Sequence, residues 1–248
     1  MILSDIKIIR SDLFDKYPEL VFGFSTKPGG FSPEPYCLNL SVSAGDDPGN
    51  VKRNRDLFFG ALGIDENSVT FQKQIHSSVI NYSPAPSHFE GCDAVYTDVK
   101  NNFLAVSVAD CIPVFLYDPI VKVVAGIHSG WMGTKEMILT KTISELIKRF
   151  RSDPAELIAY IGPGICQDHY EVGGEVGILF DESVRYKSGE KYYLDLKKDN
   201  FLQLLKSGVK EINIEISELC TFKEKDLLHS YRRDGIKSGR MFGVIGMK

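Results

Sequence analysis

Three apolar, strand-like runs each end in a side chain that can ligate a metal: Phe71-Gln-Lys-Gln-Ile-His-Ser77, Val106-Ser-Val-Ala-Asp-Cys-Ile-Pro113 and Val124-Ala-Gly-Ile-His-Ser-Gly-Trp-Met-Gly133. The candidate ligands are His76, Cys111 and His128, separated by 35 and 17 residues. A thiolate and two neutral imidazoles make a three-ligand zinc site, with a fourth position open to water or substrate. These spacings are long-range, so at this level a second reading stands beside the first. Cys111 can equally be a small buried hydrophobe, and the histidines satisfied core residues. Asp110, next to Cys111, is a strand-end carboxylate, a hydrogen-bond partner of a metal-bound histidine, or an acid/base. His88, His169 and His229 have no comparable setting and read as structural or exposed.

Glycines surround the third candidate ligand. Gly126, Gly130 and Gly133 permit a tight strand-to-helix turn at His128, and a helix start beside the site would favour an anion. Ile161-Gly-Pro-Gly-Ile165 also follows a strand and reads as a second pocket wall; lacking Gly-Lys-Ser/Thr, it is no P-loop. Val51-Lys-Arg-Asn-Arg55 and Tyr231-Arg-Arg-Asp-Gly235 supply arginine pairs, either solvated or available to phosphate.

The elements that must position these groups are mostly short strands. Ile6–Ile9, Val21–Ser25, Val69–Phe71, Ala94–Thr97, Phe103–Val108, Val114–Tyr117 and Val121–Ile127 are β-branched or aromatic runs between turn residues, as are Leu157–Ile161, Lys191–Leu194, Ile212–Ile216 and Phe242–Ile245. Asp118-Pro119 predicts a hairpin turn. Helical spacing predicts helices over Asn50–Leu62, Lys135–Phe150 (with Thr134 as N-cap), Glu175–Ser183 and Leu196–Ser207. Many strands with few intervening helices argue for an α+β fold with mixed sheets. No linker or repeat divides the chain, so one domain over 1–248 is expected.

Composition narrows the classes. The 248 residues carry a net charge of −4 and no basic run, which argues against nucleic acid as a partner. No apolar run is long enough to span a membrane, and Met1–Glu19 has no secretory h-region. Five cysteines without paired spacing point to a reducing, cytoplasmic setting.

Taken together, these segments resemble the laccase-domain family, long called multicopper polyphenol oxidases, typified by YfiH, YlmD and FAMIN and understood as zinc-dependent purine nucleoside enzymes. The resemblance runs through Gly23-Phe-Ser-Thr-Lys-Pro-Gly-Gly-Phe-Ser32, Leu38-Asn-Leu40, Gly45-Asp-Asp-Pro48 and Asn54-Arg55. It continues through Gln74-Ile-His76, Cys92-Asp-Ala-Val-Tyr-Thr97, Ala109-Asp-Cys-Ile-Pro-Val114 and His128-Ser-Gly-Trp131. It ends with Ile161-Gly-Pro-Gly164, Tyr170-Glu-Val-Gly173 and Ser230-Tyr-Arg-Arg-Asp-Gly235.

The resemblance implies a four-layer α/β/β/α sandwich, with the metal on His76, Cys111 and His128. It implies phosphorolysis of adenosine, inosine and 5′-methylthioadenosine to the free base and the (methylthio)ribose 1-phosphate, together with deamination of adenosine. The expected small-molecule partners are purine nucleosides and phosphate. Zinc is the expected ion, supplying Lewis acidity and an acidified water, and copper only an adventitious occupant. Five histidines are too few for the several copper ions of a true laccase. Asp110 is the candidate acid/base, Arg55 and Arg233 the candidate phosphate contacts, and Asn39 and Gln74 the candidate contacts to ribose or base. Met132 stands where the family usually has arginine, and Tyr231 where many members have histidine. Two rival chemistries share the same residues: a metal-independent cysteine hydrolase with Cys111 as nucleophile and a histidine as base, and a non-catalytic zinc-binding interaction module.

Overall fold

The computed structural model describes residues 6–248; Met1–Asp5, part of the segment read as lacking a secretory signal, lie outside them. In chain order the strands are β1 (Ile8–Ile9), β2 (Leu20–Ser25), β3 (Val69–Lys73), β4 (Ile80–Tyr82), β5 (His88–Glu90), β6 (Ala94–Thr97), β7 (Phe103–Val108), β8 (Ile112–Asp118), β9 (Val123–Ser129), β10 (Ile158–Ile161), β11 (Glu171–Val172), β12 (Arg185–Ser188), β13 (Lys191–Leu194), β14 (Ile214–Ile216) and β15 (Met241–Met247). The α-helices are α1 (Pro48–Ala61), α2 (Trp131–Lys135), α3 (Ile138–Phe150), α4 (Gly174–Gly177), α5 (Leu196–Lys206) and α6 (Tyr231–Asp234).

Two six-stranded mixed sheets form the body, in the orders β1-β2-β15-β7-β3-β5 and β14-β10-β8-β9-β6-β4; β11-β13-β12 make a small third sheet. Strand alternation builds the layers. On β8, Phe115 and Tyr117 face the first sheet and pack with Phe22, Val106 and Ile245, whereas Val114 and Leu116 face outward onto α3 and α5. On β15, Phe242 and Val244 turn the other way and pack against Phe58 and Phe59 of α1. The result is helix, sheet, sheet, helix, the expected α/β/β/α arrangement. The central strands of both sheets, such as β8, β9 and β15, are buried on both faces, which is why they read as near-continuous hydrophobic runs.

Gly243 of β15 packs directly against Phe115 of the other sheet. A Cβ there would lie 2.3 Å from Phe115 Cζ and 3.0 Å from Phe24 Cδ2, so only hydrogen fits. Gly243→Ala is therefore expected to destabilise the protein by about 1–3 kcal/mol through overpacking. Thermal denaturation followed by circular dichroism checks this, and an unchanged midpoint contradicts it.

The Asp118-Pro119 turn joins β8 and β9 as a hairpin, paired antiparallel from Ile112↔Ser129 to Asp118↔Val123. This hairpin brings Cys111 and His128 to the same end of the sheet. The predicted helix over Lys135–Phe150 is α3, which ends at Phe150 as expected but starts at Ile138, set off from α2 by a break at Met137, whose φ is +62°. Thr134 is not an N-cap. It lies inside α2, with its hydroxyl on Ser129 Oγ at 2.8 Å. The predicted helix over Glu175–Ser183 is reduced to the single turn of α4, and Ile212–Asn213 lie in a 3₁₀ turn ahead of β14. No helix among the described residues is long and apolar enough to cross a membrane.

Candidate metal centre and its cavity

His76, Cys111 and His128 come together. One ligand atom from each lies within 4.8 Å of the others, and the two imidazoles meet edge-on with ring centroids 5.0 Å apart. His128 is at the end of β9, Cys111 immediately before β8, and His76 in the turn after β3. Gly130 sits among all three. A Cβ there would be 3.2 Å from Cys111 Sγ, 3.2 Å from His76 Cδ2 and 3.7 Å from His128 Cε1. The glycine reserves room at the centre of the donor set, and thiolate plus imidazole is the donor chemistry that zinc takes.

Asp93, just ahead of β6, organises the cluster. Its carboxylate is fully buried and accepts backbone N–H groups from Ile75 (3.3 Å), His76 (3.0 Å) and Ser77 (2.7 Å), and the Ser77 hydroxyl at 2.7 Å. It also pairs with His128 Nδ1 at 2.8 Å, and its backbone carbonyl accepts His128 N–H at 2.7 Å. One residue thereby fixes both the His76 turn, where His76 has φ +58°, and the orientation of His128. With Nδ1 held by Asp93, Nε2 is the nitrogen of His128 left for a metal. Burial alone would raise the Asp93 carboxyl; the bonds from His128 and Ser77 outweigh it and hold it at about 2.

The thiol and the imidazole polarise each other. Burial opposes ionisation of Cys111, but His128 and His76 bring it down to about 6. Burial likewise opposes charge on His128, but Cys111 and Asp93 push it up to about 9. At neutral pH and without metal, the pair is thus thiolate and imidazolium. Iodoacetamide labelling of metal-free protein should titrate at Cys111 with a midpoint near 6. The reactive thiolate is present above that value and lost as pH falls through it, whereas Cys37, pushed up to about 11 by burial and Glu34, stays unreactive at pH 7. A Cys111 midpoint of 8 or above, read by peptide mass mapping, contradicts the pairing.

The cluster lies at one side of an open cavity of about 1010 Å³. Phe71, Phe89, Trp131, Tyr170, Tyr231 and Phe242 supply aromatic surface, and Arg55, Lys73, Arg232 and Arg240 supply positive charge. This is room and chemistry for an aromatic ligand carrying or accompanied by an anion.

The other predicted site residues divide. Asp110 lines the cavity, but each of its oxygens is already engaged: Oδ1 accepts the Thr221 hydroxyl and Oδ2 the Arg232 N–H, both at 2.6 Å. Its φ of +102° is rare outside glycine, and those contacts hold it there, setting the turn that delivers Cys111. These contacts hold the turn, and the carboxylate hydrogen-bonded to His128 is Asp93, not Asp110. Gln74 also lines the cavity, with both ends of its amide paired to the Ser107 backbone at 2.7 and 2.8 Å. Arg55 reaches the cavity too, with Nε on Leu40 O at 2.7 Å and Nη1 on Glu66 at 3.0 Å.

Asn39 and Arg233 do not line the cavity. Asn39 is fully buried, and its Oδ1 accepts the Arg240 N–H at 2.9 Å. Arg233 spends its guanidinium on the carbonyls of Thr221, Phe222 and Leu228 and on Asp234. Asp93 and Arg240 are the residues that sequence reasoning missed. Asp93 stands inside the block Cys92-Asp-Ala-Val-Tyr-Thr97, where the signal lay; Arg240 had none, being a lone arginine ahead of a strand.

The chain is 34% identical to purine nucleoside phosphorylase YlmD of Bacillus subtilis, covering 93% of this chain and 89% of that protein. It is 36% identical to a purine nucleoside phosphorylase of Clostridium acetobutylicum, over 93% and 96% of the two chains. The crystal structure of YlmD from Geobacillus stearothermophilus superposes with a TM-score of 0.92 at 30% identity, over 99% of each chain. The family described as multi-copper polyphenol oxidoreductase laccase matches residues 21–248. With its fold, its relatives and that match in agreement, the chain is a member of this laccase-domain family.

Proposed function

We propose that the protein is a zinc-dependent purine nucleoside phosphorylase. It would cleave adenosine, inosine and 5′-methylthioadenosine with phosphate, releasing the base and the corresponding ribose 1-phosphate, and deaminate adenosine as a second reaction. The observation that carries this reading is one cavity holding the His76–Cys111–His128 donor set together with aromatic walls and unpaired guanidinium donors. Relatives named purine nucleoside phosphorylase support it. Zinc held by His76, Cys111 and His128 would supply Lewis acidity.

The remaining roles fall to this chain's own groups. The Tyr170 ring can stack on the purine, whereas Phe71 is already stacked on the His88 imidazole at 4.8 Å. Arg240 suits the phosphate: its Nη1 is spent on the Ser238 and Gly239 carbonyls at 2.7 and 3.0 Å, while Nε and Nη2 make no hydrogen bond to the described residues. Burial disfavours its charge, which makes an anionic partner more valuable. Asn39 holds the Arg240 backbone in place. Met132 does not line the cavity, and Arg240, Arg232 and Arg55 supply cationic groups in the absence of an arginine there. Phosphate positioned by Arg240 would attack the anomeric carbon as the N-glycosidic bond breaks and the base departs.

Arg240→Ala should raise the KM for phosphate by about 10- to 100-fold, the worth of a charge-assisted hydrogen bond, with a much smaller change in the KM for inosine. An unchanged phosphate KM removes Arg240 from that role.

A second reading has one specific observation in its favour. Cys111, His128 and Asp93 stand in nucleophile, base and orienting order, with the thiol held near 6. A cysteine hydrolase of this kind would not need His76. Loss of activity in His76→Ala supports the metal reading, and metal-independent turnover in that variant supports the hydrolase.

A further inference from the structure

A second group of soft donors lies outside this cavity. Cys166, His169 and Cys220 bring one ligand atom each to within 4.8 Å of the others. Cys166 and His169 flank the 3₁₀ turn after β10, and Cys220 joins them through a bridge between Gly164 and Cys220. His169 Nδ1 lies 3.2 Å from Cys166 Sγ, and its ring is fixed by stacking on Phe222 at 4.5 Å. Cys220 Sγ accepts the Cys166 N–H at 3.2 Å. A backbone donor on a sulfur is an outer contact that a metal-bound thiolate takes. Cys220 is buried, while Cys166 and His169 are partly exposed, so an ion has a way in.

Charge and ligand count narrow the occupant. Metal–sulfur bonds of about 2.3 Å in a trigonal plane place ligand atoms roughly 4 Å apart, so this set needs little movement to close. No fourth histidine, cysteine or carboxylate joins the group among the described residues, so a zinc here would have to take water as its fourth ligand, whereas three donors complete a trigonal Cu(I) site. Two thiolates with a divalent ion are neutral; with a monovalent ion they keep one negative charge. Lys197 answers that charge. Its ammonium is held by the carbonyls of Ser217 and Leu219 at 2.7 and 2.8 Å, next to Cys220, and it makes no ion pair among the described residues. We propose that Cys166, His169 and Cys220 form a second metal site, a trigonal S₂N site for a soft monovalent cation, Cu(I), neutralised by Lys197.

The test uses full-length Cys111→Ala protein, in which the first cluster is disabled. Cu(I) is titrated anaerobically in competition with bathocuproine disulfonate. The expected result is one Cu(I) per chain with near-ultraviolet thiolate-to-copper absorbance. Adding Cys166→Ser, at a partly exposed position, should weaken binding by more than about 100-fold, beyond what losing an outer hydrogen-bond partner costs. His169→Ala should weaken it as well. Failure of Cys111→Ala to hold Cu(I), equal binding after Cys166→Ser, or tighter retention of Zn(II) than of Cu(I) each overturns the proposal.

Discussion

Cys111→Ala is expected to abolish stoichiometric metal binding at the His76–Cys111–His128 cluster and to reduce nucleoside turnover to background. The thiolate is the anionic member of the donor set, and the ionisation held near 6 makes it available at neutral pH without further cost. Two imidazoles without the thiolate are a poor site for a divalent ion. The fold should survive. Cys111 is a small, partly exposed side chain at the edge of the inter-sheet core, so alanine there removes little packing and the protein should still fold cooperatively. That combination separates a chemical role from a structural one. Metal content by inductively coupled plasma mass spectrometry, a thermal melt and a turnover assay on the same preparation check it. Metal-dependent turnover retained by the variant removes Cys111 from the ligand set.

Asp93→Ala should have the largest effect on the protein as a whole, because Asp93 serves both architecture and site. Alanine leaves three backbone N–H groups, one hydroxyl and a buried imidazole without their acceptor. Removing one member of a buried pair typically costs about 3–5 kcal/mol. For a chain of this length that is a fall in Tm on the order of 10 °C. Asp93→Asn keeps the shape but turns half the acceptor into a donor, so it should cost less stability yet still misdirect His128 Nδ1. Metal affinity should drop by about 10- to 100-fold in Asp93→Asn, measured by competition with a chromophoric chelator. The pH dependence has a definite sign. The Asp93 carboxyl is depressed from 3.8 to about 2, so its contribution is present above 3.8 and lost as pH falls towards 2. Wild-type protein should therefore lose stability through that window more steeply than Asp93→Asn. Equal acid profiles would show that the five hydrogen bonds do not hold the charge.

The ends of the central strands were legible because their runs of β-branched and aromatic residues stop at turn residues: β6, β7 and β13 have the boundaries their sequences predict. The short edge strands β4, β5, β11 and β12 were not, since two to four residues of half-exposed chain carry no period to read. The break between α2 and α3 was also hidden. Hydrophobic spacing runs through Met137, and only the tertiary packing that holds Thr134 against Ser129 sets the left-handed turn there.

The residues of the metal cluster were visible as donors at strand ends, but what brings them together is register: the β8–β9 hairpin and the turn tied to Asp93. Of the polar side chains singled out for the substrate, Arg55 and Gln74 line the cavity and Asn39 and Arg233 do not. An arginine or asparagine in a sequence says nothing about whether its donors are already spent. In Arg233 and Asn39 they are spent on the fold; in Arg240 two remain. His169 reads as structural when the chain is followed linearly, because Cys220, which completes its cluster, lies far along the chain.

The central claim is that the His76–Cys111–His128 cavity breaks nucleosides with phosphate. Chromatographic product analysis tests it most directly, with zinc-loaded protein incubated with adenosine or inosine, with and without phosphate, beside Cys111→Ala. The account predicts free base and ribose 1-phosphate only when phosphate is present, and nothing from the variant. Inosine as the sole product from adenosine, no cleavage of inosine under either condition, or the same products from Cys111→Ala would contradict it.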